Sequence, residues 1–167
     1  MITQDDIDVM EPETVSAHEA LAEFIVAFKG SLDPRLWLKL IEEELEELYK
    51  EVPGTADHLK ELADLTYVYT GLDILTQPVL GALMSSEEIT SVSKVLQRTE
   101  RAMREYLEYY GAETIDEAFN RVHKSNMSKL GEDGKPILRE DGKVLKGPSY
   151  KAPDLSDLVK SKGANKK

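Results

Sequence analysis

The stretch Leu40–Leu48 reads LIEEELEEL and places carboxylates at positions 42, 43, 44, 46 and 47. A second acidic pair follows in ELAD, at Glu61 and Asp64. Carboxylates this dense repel one another, and desolvated ones take up a proton unless a cation neutralises them. Hard oxygen ligands suit Mg2+ or Mn2+. The competing use of a Glu-rich run is a solvated helix face. Helical periodicity separates the two.

At about 100° per residue, Trp37, Ile41, Leu45, Leu48 and Val52 form one apolar stripe. Glu44 falls on the flank of that stripe and Glu47 lies further round the same side. Glu42 and Glu46 lie on the other side, and Glu43 points nearly away. In the next helix Leu62, Leu65, Tyr69 and Leu72, widened by Val68, make the stripe. Glu61 projects inside it and Asp64 flanks it. Two helices joined by a short turn pack antiparallel, so Glu44, Glu47, Glu61 and Asp64 are expected to face one another and to hold a divalent cation. The nearest basic residues are Lys39 and Lys60, and the wheel turns Lys60 outward. A di-iron centre would need Glu-x-x-His pairs. None of His18, His58 and His123 has an acid three residues before it.

A further stripe, Ile115, Ala118, Phe119 and Val122, continues at +4 and +7 into Asn126 and Lys129. An amide and an ammonium on an inward face suit a phosphate or base, whereas Arg121 and Lys124 lie off that face. Trp37 and Tyr69 are expected in the core. Tyr67, His58 and His123 are expected to be structural. Lys143 and Lys146 fit either closure over phosphates or protection of a strand edge.

The elements that must position these groups are well punctuated. Ser16 and Glu19 form a capping-box pattern opening a helix to about Lys29, with Val15, Leu21, Ile25 and Phe28 available for its apolar face. Asp33-Pro34 opens a second helix, running to about Glu51 and stopped by Pro53-Gly54. Thr55 caps a third, ending near Leu75. Ser85 to Glu88 opens a fourth, which Gly111 ends. Thr114 to Glu117 is a capping-box pattern for a fifth, with Gly131 at its C-terminal end. Beyond it, Asp141-Gly142 between PILRE and KVLKG is a hairpin signal, with both residues at positive φ in a type I′ turn. The expected fold is therefore all-α, about five helices with a short C-terminal β-hairpin. One domain is expected over residues 1–155, followed by a disordered tail over 156–167.

The chain has 167 residues, 41% hydrophobic and 32% charged, enough for one ordinary core. A net charge of -11 argues against a nucleic-acid partner, because phosphate neutralisation needs clustered Lys and Arg. The absence of Cys excludes disulfides and thiolate chemistry. No apolar run reaches the ~18 residues of a membrane span, and the start MITQDDIDVM lacks the features of a signal peptide. The expected compartment is the cytoplasm. An acidic helical protein that binds basic partners remains the non-enzymatic alternative.

The pattern EExxE, here Glu43-Glu44-Leu45-Glu46-Glu47, followed by ExxD, here Glu61-Leu62-Ala63-Asp64, resembles the MazG-like all-α nucleoside triphosphate pyrophosphohydrolases. The segment SNMSKLGEDGKPILREDGKVLKGPSYKAPDL is similar to the tail of a phosphoribosyl-ATP-pyrophosphohydrolase-like branch. The resemblance covers Arg35 to Leu75 and Glu117 to Leu155, while Thr76 to Ala112 is longer than in compact members. It implies Mg2+-dependent hydrolysis of a nucleoside triphosphate to the monophosphate and pyrophosphate, with phosphoribosyl-ATP as the alternative substrate. By resemblance Glu44, Glu47, Glu61 and Asp64 are the metal ligands, and Asn126 and Lys129 bind substrate. Glu43 is the expected residue for orienting or deprotonating the attacking water. The resemblance also implies a homodimer or homotetramer, with the hairpin beside the site mouth.

Overall fold

The computed structural model describes residues 16–29, 33–76 and 85–160. The fold is all-α. The described helices are α1 (Ala17–Ala27), α2 (Pro34–Lys50), α3 (Ala56–Thr76), α4 (Ser86–Tyr110), α5 (Ala112–Met127) and α6 (Ser156–Lys160). Each of the first four starts on a side-chain cap that satisfies an otherwise unpaired backbone N–H. Ser16 Oγ accepts from Glu19 N at 3.3 Å while Ser16 N donates to Glu19 Oε2 at 3.0 Å. Asp33 accepts from Arg35 N at 2.9 Å, and Thr55 Oγ1 accepts from His58 N at 3.2 Å. Ser85 and Glu88 repeat the box at α4.

Helix α3 is the hub, packing against α1, α2, α4, α5 and α6. The α2–α3 seam buries Trp37, Ile41, Leu45 and Leu48 from one side and Leu62, Leu65 and Leu72 from the other. Tyr69 is half-buried. Gly71 makes this seam possible: a Cβ there would sit 2.0 Å from Trp37 Cζ3, so the indole lies directly on the α3 backbone. On α1 the buried face is Ala20, Leu21, Phe24 and Phe28. Val15, expected on that face, lies outside the described residues.

Several expected boundaries shift. Helix α2 stops at Lys50 and turns extended at Glu51, so Val52 leaves the stripe and is 65% exposed. Gly111 alone joins α4 to α5, at φ 86°, a conformation that favours glycine. With so short a joint, α5 begins at Ala112, and the Thr114–Glu117 box falls inside the helix unused. Helix α5 closes on Ser128, whose N–H reaches Lys124 O and Ser125 O, before Gly131 is reached.

The hairpin region contains no strand, only one antiparallel bridge between Leu138 and Val144. Arg139 N donates to Lys143 O at 2.8 Å and Gly142 N donates to Arg139 O at 2.9 Å. Gly142 has φ 91° and Asp141 does not have positive φ, so the turn is not type I′. It has the pattern of a three-residue loop closed by a glycine bulge. The following segment is pinned to the end of α5 by Ser125 Oγ donating to Lys151 O and Lys151 N donating to Ser128 Oγ. The expected tail begins in fact as α6, with Leu155 buried before it and Asp157 paired to Arg121 at 2.6 Å. Residues 161–167 lie outside the described residues. Most of the long middle segment is α4. Among the described residues no helix is long and apolar enough to cross a membrane.

Candidate metal and phosphate site

Glu44 on α2 and Glu61 and Asp64 on α3 each bring a carboxylate oxygen within 4.8 Å of the others. Helical spacing sets Glu61 and Asp64 one turn apart, and the antiparallel seam brings Glu44 across to them. Glu61 is only 9% exposed, and its Oε2 meets no hydrogen-bond partner among the described residues. Burial, then the charges of Asp64, Glu47 and Glu61, push the Glu44 carboxyl up to about 8. Burial likewise raises Glu61, although Lys60 opposes the shift.

Lys60 is a correction to the sequence reading. It does not face outward; its Nζ bridges Glu61 Oε1 at 2.9 Å and Asp64 Oδ2 at 2.7 Å. Burial would lower the Lys60 pKa, but Asp64 and Glu61 outweigh it and raise it. One resident cation thus offsets part of the acidic charge and leaves Glu44 and Glu61 Oε2 without an ion-pair partner among the described residues.

The cluster opens into a cavity lined by Glu44, Asp64, Asn126 and Lys129, with Phe24, Trp37, Leu40 and Val68 supplying apolar walls. Asn126 is buried on α5, as the stripe predicts. Lys129 lies in the turn just past α5 and still reaches the cavity. Burial lowers its pKa, while Asp64 and Glu44 act to raise it. Gly142, Lys143 and Val144 of the bridged loop also line the cavity.

Compared with known protein families, curated proteins and solved structures, the chain matches none.

Two expected site residues fall elsewhere. Glu47 is exposed and lies outside the three-carboxylate cluster, although its charge bears on Glu44 and Glu61. Glu43 faces the bridged loop, with Lys143 Nζ at 2.6 Å and Arg139 at 3.6 Å. Burial would raise the Glu43 pKa, but the Lys143 hydrogen bond and the charges of Lys143, Arg139 and Lys39 hold it below the ordinary carboxylate value. A carboxylate so engaged is a latch for the loop, and its expected role in handling water has no support from this geometry.

Of the two roles open to Lys143 in the sequence, closure over the site or protection of an edge, its side chain does line the cavity. A further feature escaped the sequence reading: Tyr67 hydrogen-bonds His123, and His123 hydrogen-bonds Glu23. No periodicity signals such a chain, because its members come from three separate helices.

Proposed function

We propose that this protein is a Mg2+- or Mn2+-dependent hydrolase of nucleoside triphosphates that releases pyrophosphate, acting on the nucleotide pool of the cytoplasm. The observation that carries the reading is the unpartnered, buried Glu61 Oε2 within the Glu44–Glu61–Asp64 cluster. Three carboxylates with hard oxygens and an orphaned buried lone pair fit a divalent cation better than a second ammonium. Glu44, Glu61 and Asp64 would hold it. When bound, such an ion supplies charge neutralisation on phosphate oxygens and acidifies water at the phosphorus.

The chain's own residues divide the remaining work. Lys129 is a desolvated point charge facing the same space and suits a phosphate oxygen. Phe24, Trp37 and Val68 exclude water and offer an apolar wall to a base. Lys60 bridges Glu61 and Asp64 and holds the two carboxylates together. The resemblance in the two acidic motifs and the long C-terminal segment supplies the reaction class.

The test is pyrophosphate release from a panel of ribo- and deoxynucleoside triphosphates and phosphoribosyl-ATP, each with Mg2+ or Mn2+. Release from at least one of them is expected, with Asp64→Asn lowering kcat/KM by about 10³-fold, the scale of losing a preorganised charge-stabilising group. No release from any member, or an unimpaired Asp64→Asn, overturns the reading.

A further inference from the structure

Three cations and two carboxylates tie the bridged loop to α2. Lys39 and Arg139 meet Asp141 at 2.8 Å and 2.6 Å, and Arg139 and Lys143 meet Glu43 at 3.6 Å and 2.6 Å. The set therefore holds one cation more than its carboxylates can neutralise. Lys143 is the one of the three that also lines the cavity.

The Lys143–Glu43 contact is short, yet both side chains are 31% exposed, and ion pairs so open to solvent contribute little. A phosphate oxygen offers the same ammonium a charge-assisted bond with more negative charge behind it. The Lys143 backbone is held inside the loop, its O accepting from Arg139 N at 2.8 Å and its N donating to Asp141 Oδ1 at 3.2 Å. The ammonium thus travels with the loop, whereas Glu43 stays on α2. Lys129, in the turn past α5, lines the same cavity from another element. With Glu44 and Asp64 committed to a divalent cation on the reading above, Lys129 and Lys143 are the cavity-lining cations left for phosphate.

We propose that Lys143 is a phosphate-binding residue carried on a lid, which exchanges Glu43 for a phosphate oxygen of the nucleotide. The inference rests on the nucleotide reading above and deepens it. Glu43 is then the resting partner of Lys143 and competes with the substrate for it. Arg139 remains beside Glu43 when Lys143 leaves, so the exchange strands no carboxylate.

Equilibrium binding of a panel of non-hydrolysable α,β-imido deoxynucleoside triphosphates to the full chain, with Mg2+, tests this. Lys143→Met keeps length and removes charge, and should weaken binding about tenfold or more, the scale of a lost hydrogen bond to a charged group. Glu43→Gln removes the competing charge and should tighten binding about threefold, the scale of a part-exposed ion pair. The double variant should bind as Lys143→Met does, because Glu43 acts only through Lys143. Both side chains are part-exposed, so neither change disturbs the core. Tighter binding in both single variants would make the pair a barrier to entry, and weaker binding in both would make it a brace for the loop. Either result overturns the exchange, as does wild-type affinity in either single variant. A wild type that binds no member of the panel sinks the nucleotide reading and the exchange with it, whereas binding with the wrong signs in the variants sinks the exchange alone.

Discussion

Glu44 keeps its proton well above the ordinary carboxylate range because burial and three neighbouring acids oppose its charge. A carboxyl with a higher pKa folded than unfolded favours the folded state below its unfolded value, and that stability is lost as pH rises through about 8. In chelator, the melting temperature should therefore fall between pH 5 and pH 8.5 by more in the wild type than in Glu44→Gln. Each ~1 kcal/mol removed corresponds to a loss of about 2–4 °C. Added Mn2+ should reverse the fall at high pH, since a ligand that binds only the folded state stabilises it. Parallel melting curves for the two proteins would refute this account of Glu44. Lys129→Met keeps length and removes charge, and should lower kcat/KM by about 10²-fold. Lys124→Met, on the exposed side of α5, should change it little. Equal behaviour of the two variants would place the phosphate site elsewhere. The inward placement of Glu44, Glu61, Asp64 and Lys129 was legible in the sequence because azimuth decides it, whereas Glu47, expected beside Glu44, is exposed. Lys60 was not, because a wheel gives the direction of Cβ and ignores how far a four-carbon stem bends back to an acid at i+4.

At the scale of elements, the α2–α3 seam and the bridged loop matter most. Gly71→Ala puts a methyl into the Trp37 ring and should cost about 1–3 kcal/mol or more as overpacking, read as a lower melting temperature. Retention of the wild-type melting temperature would show that the indole is not seated as described. The loop is tied to α2 by Lys39–Asp141 at 2.8 Å and Lys143–Glu43 at 2.6 Å, with Arg139 also on Asp141. Beneath it the cavity measures about 80 Å3. Sites for ligands of this class are roughly 300–1,000 Å3, so on the proposed reading the loop has to move to admit a nucleotide. Lys39→Met with Asp141→Asn should speed amide exchange at Gly142 and Leu145 and raise the nucleotide association rate. Exchange unchanged in the double variant would remove the latch from the mechanism. The sequence signalled a turn through Asp141-Gly142, yet the ionic ties that hold it join residues about a hundred positions apart. Local pattern carries no information about such pairs. The same limit explains α5: the Thr114 box was legible, but Gly111 as a one-residue joint left no room for it.

For the whole molecule, α4 is a long element of which little is buried. It is 25 residues long, about 37 Å at helical rise, yet its buried residues are Val92, Thr99, Ala102 and Tyr110. Leu107 and Tyr109 are 46% and 47% exposed, and Tyr49 and Val52 at the end of α2 are 57% and 65% exposed. The Tyr109 hydroxyl lies over Gly54 in the turn after Val52, so the end of α4 sits against that turn. A groove between α3, α4 and α5 is lined by Leu62, Tyr69, Met103, Leu107 and Ile115. A second copy of the chain is the partner that the resemblance implies, and a stable pair needs roughly 1,200–2,000 Å2 of such surface. Light scattering at micromolar concentration should give at least a dimer. Leu107→Glu should shift it towards monomer while leaving the helical circular dichroism signal in place, because Leu107 is already half in solvent. A wild-type monomer that still releases pyrophosphate would show that α4 completes the bundle within one chain, and that its exposed face serves no copy of itself.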